Sequence, residues 1–219
     1  KGDVIGKELK EGAIHVFFGN KRATTELLKS LYPNYEFHFL KQVHGDRLEK
    51  APATGPADAH WTDKPNQAVA VYTADCLPAL IYWPQSRRAA AIHAGWRGVA
   101  AEILPKTLRA FGSETDTRVF VGPHIRMNSF EVHDDVATTL ARVGPADVLH
   151  PHQEPGKKYV DLTSIARFQF ERNGISAQRQ FFDDENTCGN PEYYSYRGDR
   201  ANCGRLISFI ALTNGDSNT

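Results

Sequence analysis

Three residues of this 219-residue chain pair metal-binding chemistry with positions where the strand pattern breaks. Cys76 sits in Tyr72-Thr73-Ala74-Asp75-Cys76-Leu77-Pro78, directly after an apolar stretch that reads as a buried strand. His93 opens His93-Ala94-Gly95-Trp96-Arg97-Gly98, between a strand and a helix. His44 lies in Gln42-Val43-His44-Gly45-Asp46, at the end of a further strand. One thiolate and two imidazoles suit a borderline-soft ion such as zinc, and three protein ligands leave a fourth position for water or substrate. His44 and Cys76 are 32 positions apart and Cys76 and His93 are 17, without a CxxC or HExxH spacing, so only the fold can assemble this set. The competing reading makes Cys76 a small buried hydrophobe and His93 a satisfied core histidine. Gly95 and Gly98 weigh against it, because they let the backbone turn tightly and approach a ligand.

Other side chains have two readings each. Asp75, beside the thiolate, could orient a ligand histidine or accept a proton, or could cap the following turn. Arg97 could grip an anion with its bidentate fork, or pin the glycine turn to a carboxylate. Asp58, in Ala57-Asp58-Ala59, is a candidate pocket carboxylate that could equally close a loop. His124 reads as a remote candidate for a fourth ligand, and His150 and His152 as solvent-facing loop residues. Tyr193, Tyr194 and Tyr196 could stack on a base or belong to the core. With three cysteines in all, Cys188 and Cys203 read as reduced thiols in a cytoplasmic setting.

The elements that must position these groups alternate between short strands and helices. Residues 13–18, 36–41, 67–73, 78–83, 88–93, 119–122 and 206–212 read as strands, with 67–73, 78–83 and 88–93 expected at the centre of one sheet. Residues 23–32, 99–111, 134–143 and 163–173 read as helices, the second kinked by Pro105, and 213–219 as a polar tail. The turn-rich stretches 52–56 and 184–191 are loop-sized, so one domain over 1–219 is expected. The expected class is α/β, with a mixed β-sheet core and flanking helices. Lys+Arg and Asp+Glu are each 26, which gives no net basic field and argues against nucleic acid as the main partner. No apolar run reaches the roughly 18 residues of a membrane helix, and residues 1–11 are too polar for a signal-peptide core.

Gln42-Val43-His44-Gly45, Ala57-Asp58-Ala59, Thr73-Ala74-Asp75-Cys76-Leu77-Pro78 and His93-Ala94-Gly95-Trp96-Arg97-Gly98 occur in a distinctive order. Gly122-Pro123, Phe130-Glu131-Val132, Ser195-Tyr196-Arg197 and Gly204-Arg205 follow. Over roughly residues 36–212 the chain resembles the laccase-domain family, also called polyphenol oxidase or peptidoglycan editing factor, whose members are described as purine nucleoside phosphorylases. The resemblance implies a zinc held by His44, Cys76 and His93. It also implies phosphorolysis of adenosine, inosine and guanosine, with adenosine deamination and methylthioadenosine phosphorolysis as associated activities. The partners would then be a purine nucleoside and phosphate, in a cytoplasmic enzyme. The family's older description implies copper and phenol oxidation instead, although nine histidines with no His-Xaa-His pair beyond His150 and His152 are few for several coppers. A metal-binding domain without purine turnover is the third reading. The chain also departs from the family. Members usually carry an N-terminal Thr-Arg-Xaa-Gly-Gly-Val-Ser stretch, whereas here Phe17-Phe18-Gly19-Asn20-Lys21-Arg22 runs straight into the first helix, leaving Lys21 or Arg22 to replace the family's arginine. Gly198 stands where a second arginine is common, and Cys203 where threonine is usual.

Overall fold

The computed structural model describes residues 4–112 and 114–214, so most of the expected polar tail lies outside the described residues. Among the described residues the chain runs β1 (Gly6–Glu11), β2 (Ile14–Gly19), α1 (Thr25–Leu31), β3 (Glu36–His38), β4 (Leu48–Lys50), β5 (Ala59–Thr62), β6 (Gln67–Thr73) and β7 (Leu77–Trp83). It continues through β8 (Arg88–Ala94), α2 (Trp96–Ala100), α3 (Ile103–Arg109), β9 (Arg118–Val121), β10 (Glu131–His133), α4 (Asp134–Ala141) and β11 (Leu149–Pro151). It closes with β12 (Lys157–Val160), α5 (Leu162–Arg172), β13 (Gln180–Phe182), α6 (Tyr196–Asp199) and β14 (Leu206–Leu212). The strands form a five-stranded sheet in the order β1-β2-β14-β6-β3, a six-stranded sheet in the order β13-β9-β7-β8-β5-β4, and a small sheet β10-β12-β11. Both large sheets are mixed: β3 runs parallel to β6, β4 to β5 and β13 to β9, and the other pairs are antiparallel. The α/β expectation with a mixed sheet core and flanking helices describes this architecture.

The period of two along each strand explains why both faces are apolar. Val69 and Val71 of β6, Leu80 and Tyr82 of β7, and Ala89 and Ala91 of β8 share one core cluster between the two large sheets. Alternate residues Ile81, Trp83, Ala90 and Ile92 face a second cluster with Val99, Leu104, Leu140, Ile165 and Phe170 from the helices. On the far face of the five-stranded sheet, Phe17 and Phe209 stack at 5.1 Å and pack with Leu28 of α1. Residues buried on both faces belong to stacked layers, not to a half-solvated sheet.

Two expectations need correcting. Strands 67–73, 78–83 and 88–93 do not share one sheet: β7 and β8 pair with each other, whereas β6 pairs with β14 and β3 in the facing sheet. The three-residue link 74–76 carries the chain from one sheet to the other, with Asp75 at φ 81° to make the corner. The helix expected over 99–111 is two helices, α2 and α3, separated by Glu102 at φ 59°. Pro105 explains the break. In a continuous helix its ring would clash with the carbonyl of Ala101, but in the first turn of α3 it needs no N–H donor. The strand expected over 36–41 shortens to β3, with Lys41 keeping only a bridge to Pro56.

Candidate metal centre and cavity

Register brings the three ligand candidates together. In the β7–β8 ladder Leu77 faces Ala94 and Pro78 faces His93, so Cys76, one residue before β7, lies beside the C-terminal end of β8. The loop after β3 delivers His44 to the same end, with its backbone at φ 59°. Ligand atoms of His44, Cys76 and His93 lie within 4.8 Å of one another, and the His44 and His93 rings meet edge to face at 4.7 Å. The cluster grades from solvent inward: His44 is exposed, Cys76 half-buried and His93 buried.

Asp58 sets this geometry. It is fully buried immediately before β5, and its Oδ1 accepts from His93 Nδ1 at 2.7 Å. The same carboxylate accepts the backbone N–H groups of Val43 at 3.2 Å, His44 at 2.9 Å and Gly45 at 2.7 Å. It therefore orients the His93 ring through Nδ1, leaving Nε2 as the nitrogen a metal could use, and holds the left-handed His44 turn. Close approach of α2 completes the site. A Cβ on Gly95 would stand 3.1 Å from His44 Cδ2 and 3.2 Å from Cys76 Sγ, and one on Gly98 would stand 2.9 Å from the Gly45 carbonyl oxygen.

The charges follow from these contacts. Burial works against ionisation of Cys76, yet hydrogen bonds with His44 and His93 bring its thiol down to about 7. Burial likewise disfavours a charged His93, but hydrogen bonds with Asp58 and Cys76 lift it to about 9. Asp58 is held below the usual carboxylate range, because hydrogen bonds from His93 and from the Gly45 and Val43 amides outweigh its burial. A readily ionised sulfur and two imidazoles form a donor set that fits a tetrahedral ion with one open position.

The cluster lies in the lining of a cavity of about 740 Å³. Leu40, Trp96, Ile125, Phe130 and Leu162 give it an apolar lining, with Thr73, Asp75 and Tyr196 as polar neighbours. Four arginines also line it: Arg97, Arg197, Arg200 and Arg205. The Arg97 guanidinium stacks 4.4 Å over the Trp96 ring and, among the described residues, has no ion pair or hydrogen bond. Arg197 donates to the carbonyls of Glu131 at 2.9 Å and Ser129 at 3.4 Å. Asp75 Oδ1 accepts from Thr187 Oγ1 at 2.7 Å, and its Oδ2 from the Arg197 backbone N–H at 2.6 Å.

The other sequence candidates fall elsewhere. Arg22 pairs with Glu192 at 2.5 Å and is not among the residues lining the cavity. Asp58 lies beneath the cavity, not in its wall. His124 is buried and satisfied by the Gly122 carbonyl and Thr163, away from the ligand cluster. His152 bonds Glu131 and packs on Tyr159. Of the three tyrosines only Tyr196 lines the cavity, while Tyr193 is buried. Arg200 and Arg205 carried no spacing signal. Ser195-Tyr196-Arg197 and Gly204-Arg205 marked their neighbourhood only through the family pattern.

Comparison with known proteins identifies the family and the fold. The family model described as multi-copper polyphenol oxidoreductase laccase matches residues 19–213. A purine nucleoside phosphorylase of Pseudomonas aeruginosa is 34% identical over 200 residues, which cover 88% of this chain and 79% of that protein. A purine nucleoside phosphorylase of Escherichia coli is 34% identical over 185 residues, covering 80% and 73% respectively. Among solved structures, a Neisseria meningitidis protein superposes with a TM-score of 0.84 at 25% identity over 96% of this chain and all of that one. A Bacillus licheniformis protein gives 0.81 at 22% identity, covering 91% and 93%. Among the described residues no helix is long and apolar enough to cross a membrane. By its sequence, its fold and the motifs that build this cavity, the chain belongs to the laccase-domain family.

Proposed function

We propose that this chain is a zinc-dependent purine nucleoside phosphorylase, which converts adenosine, inosine or guanosine and phosphate into the base and ribose 1-phosphate. The observation that carries the reading is one cavity holding both the His44–Cys76–His93 cluster and the unpaired Arg97 guanidinium. Relatives at 34% identity bear the name of that activity. Zinc, when bound, supplies a Lewis acid that orients a substrate oxygen or lowers the pKa of a water, the latter being what adenosine deamination requires.

This chain's own residues do the rest. Arg97 grips phosphate with its planar fork, whose guanidinium stacks on the Trp96 ring. Phe130 and Tyr196 offer ring faces to the purine, and the apolar lining keeps competing water away from the anomeric carbon. In the transfer a phosphate oxygen bonds to that carbon while its bond to the base breaks. The base leaves with the electron pair and takes up a proton. Asp58 acts as the positioning carboxylate of His93 and not as a substrate contact, and Arg22 plays no part. Copper-dependent phenol oxidation draws on the family description alone, and the described residues offer one His/Cys cluster, not several.

The test is elemental analysis of the purified protein followed by product analysis with inosine. About one zinc per chain is expected, with hypoxanthine and ribose 1-phosphate formed only when phosphate is present. Arg97→Gln should raise half-saturating phosphate about tenfold or more, while Arg22→Gln leaves it unchanged. Free ribose released at the same rate without phosphate would identify a hydrolase.

A further inference from the structure

We propose that Asp75 is a positioning residue: its carboxylate latches the 187–200 segment onto the metal-ligand corner and so builds the guanidinium-bearing wall of the cavity. The proposal deepens the phosphorylase reading and rests on it for its kinetic consequence. Asp75 is buried at 9% exposure, at the left-handed corner between β6 and β7, directly before Cys76. Its two oxygens each carry a short bond from that one distant segment. One comes from the hydroxyl of fully buried Thr187 at 2.7 Å and the other from the Arg197 N–H at 2.6 Å.

Arg197 is the second residue of α6, where backbone N–H groups have no partner within the helix. Ser195 Oγ satisfies the Gly198 N–H, and Asp75 satisfies that of Arg197 from 122 positions away in sequence. A charge-assisted bond shielded from water is among the stronger single polar contacts. What it anchors matters for binding, because Tyr196, Arg197 and Arg200 all line the cavity and lie on or immediately after α6. The ligand Cys76 and the latch Asp75 are adjacent residues, so the corner that presents the sulfur also sets how closely the arginine wall approaches it.

Asp75→Asn separates this role from proton acceptance. The amide keeps the size and still accepts from Thr187, but its NH₂ group faces the Arg197 N–H, so donor meets donor. We expect unchanged zinc per chain and amide hydrogen exchange across 195–200 about tenfold faster, with exchange in 77–83 and 88–94 unaltered. Half-saturating phosphate in the inosine reaction should rise about tenfold, with kcat changed less than about threefold. Unaltered exchange at 195–200 would overturn the latch. So would a loss of kcat at constant half-saturation, which marks a proton acceptor, or a loss of zinc, which marks a support of Cys76 alone. Exchange and zinc content read the latch even if the wild-type protein proves not to be a phosphorylase. Should Asp75→Asn not fold, Arg197→Ala and Arg197→Pro carry the test. Both variants lose the guanidinium contacts to Glu131 and Ser129, but alanine keeps the N–H and proline deletes it, so the proline variant should loosen 187–195 further than the alanine variant, and equal exchange in the two would overturn the latch.

Discussion

Asp58 Oδ1 accepts from His93 Nδ1 at 2.7 Å and from the backbone N–H of His44 at 2.9 Å, so one buried oxygen orients one candidate ligand imidazole and fixes the turn that carries the other. The two histidines are 49 positions apart in sequence, and this carboxylate is what makes them one site.

Asp58→Asn should therefore weaken the metal site without touching a ligand. An amide can accept at only one of its two ends, so either His93 loses its partner or the Val43 and Gly45 amides face a donor. A loss of about 10- to 100-fold in zinc affinity is expected, read by competition with a chelator of known affinity. Wild-type affinity in this variant would remove Asp58 from the metal site.

Gly95 offers a steric test. An added methyl would sit 3.1 Å from His44 Cδ2 and 3.2 Å from Cys76 Sγ, tighter than ordinary contact, so the ligands must spread by a few tenths of an ångström. Gly95→Ala should lower zinc content and activity together, while the unfolding midpoint stays near that of the wild type, since the φ of −68° at this position is open to alanine. A fully loaded, fully active Gly95→Ala protein would show that the cluster has slack to spare.

Cys76 should be the reactive thiol of the metal-free protein. Its thiol is drawn down to about 7, whereas burial pushes that of Cys203 up. At pH 7.5 iodoacetamide should label Cys76 well before Cys203, at a rate that climbs as pH passes through about 7, and zinc should protect it. Peptide mass mapping gives the order of labelling. Cys76→Ser should lose zinc with the fold intact, because a neutral hydroxyl replaces sulfur poorly as a ligand. A metal-replete Cys76→Ser protein would sink the ligand assignment.

Acid should destabilise the fold through two histidines outside the site. Burial holds both His60 and His124 down to about 4. Above pH 6.5 each is neutral whether folded or unfolded and contributes nothing to pH dependence. As pH falls from about 6.5 to about 4 the unfolded chain takes up protons that the folded one refuses, so stability drops by roughly 1.4 kcal/mol per unit for each histidine. Urea midpoints at pH 6.5 and 5, below the range in which His93 titrates, should differ accordingly, and His124→Gln should shrink the difference. A midpoint that does not move over this range would show that water reaches both rings.

The sequence by itself singled out the candidate ligands and most of the framework. Cys76 and His93 were legible because reactive side chains interrupt apolar strands there, and β2, β6, β7, β8, β9 and β14 because runs of buried residues bound by turns leave a strong local signal. Glycines 95 and 98 were legible as positions of close approach to a ligand, and the structure shows close approach there to His44, Cys76 and the Gly45 carbonyl. Short or polar elements such as β1, β10 and α6 were not legible, since they owe their form to neighbours that a local window does not contain. Tertiary structure alone decided that β6 and β7 lie in facing sheets, because a strand buried on both faces has the same pattern in either arrangement. It alone decided that Asp58 lies beneath the ligands while Arg22 turns to Glu192, and that Arg97 shares its cavity with Arg197, Arg200 and Arg205. Residue type states what a group can bond. Which groups converge depends on register and on the left-handed turns at His44 and Asp75, and these form only once the two sheets have closed on each other.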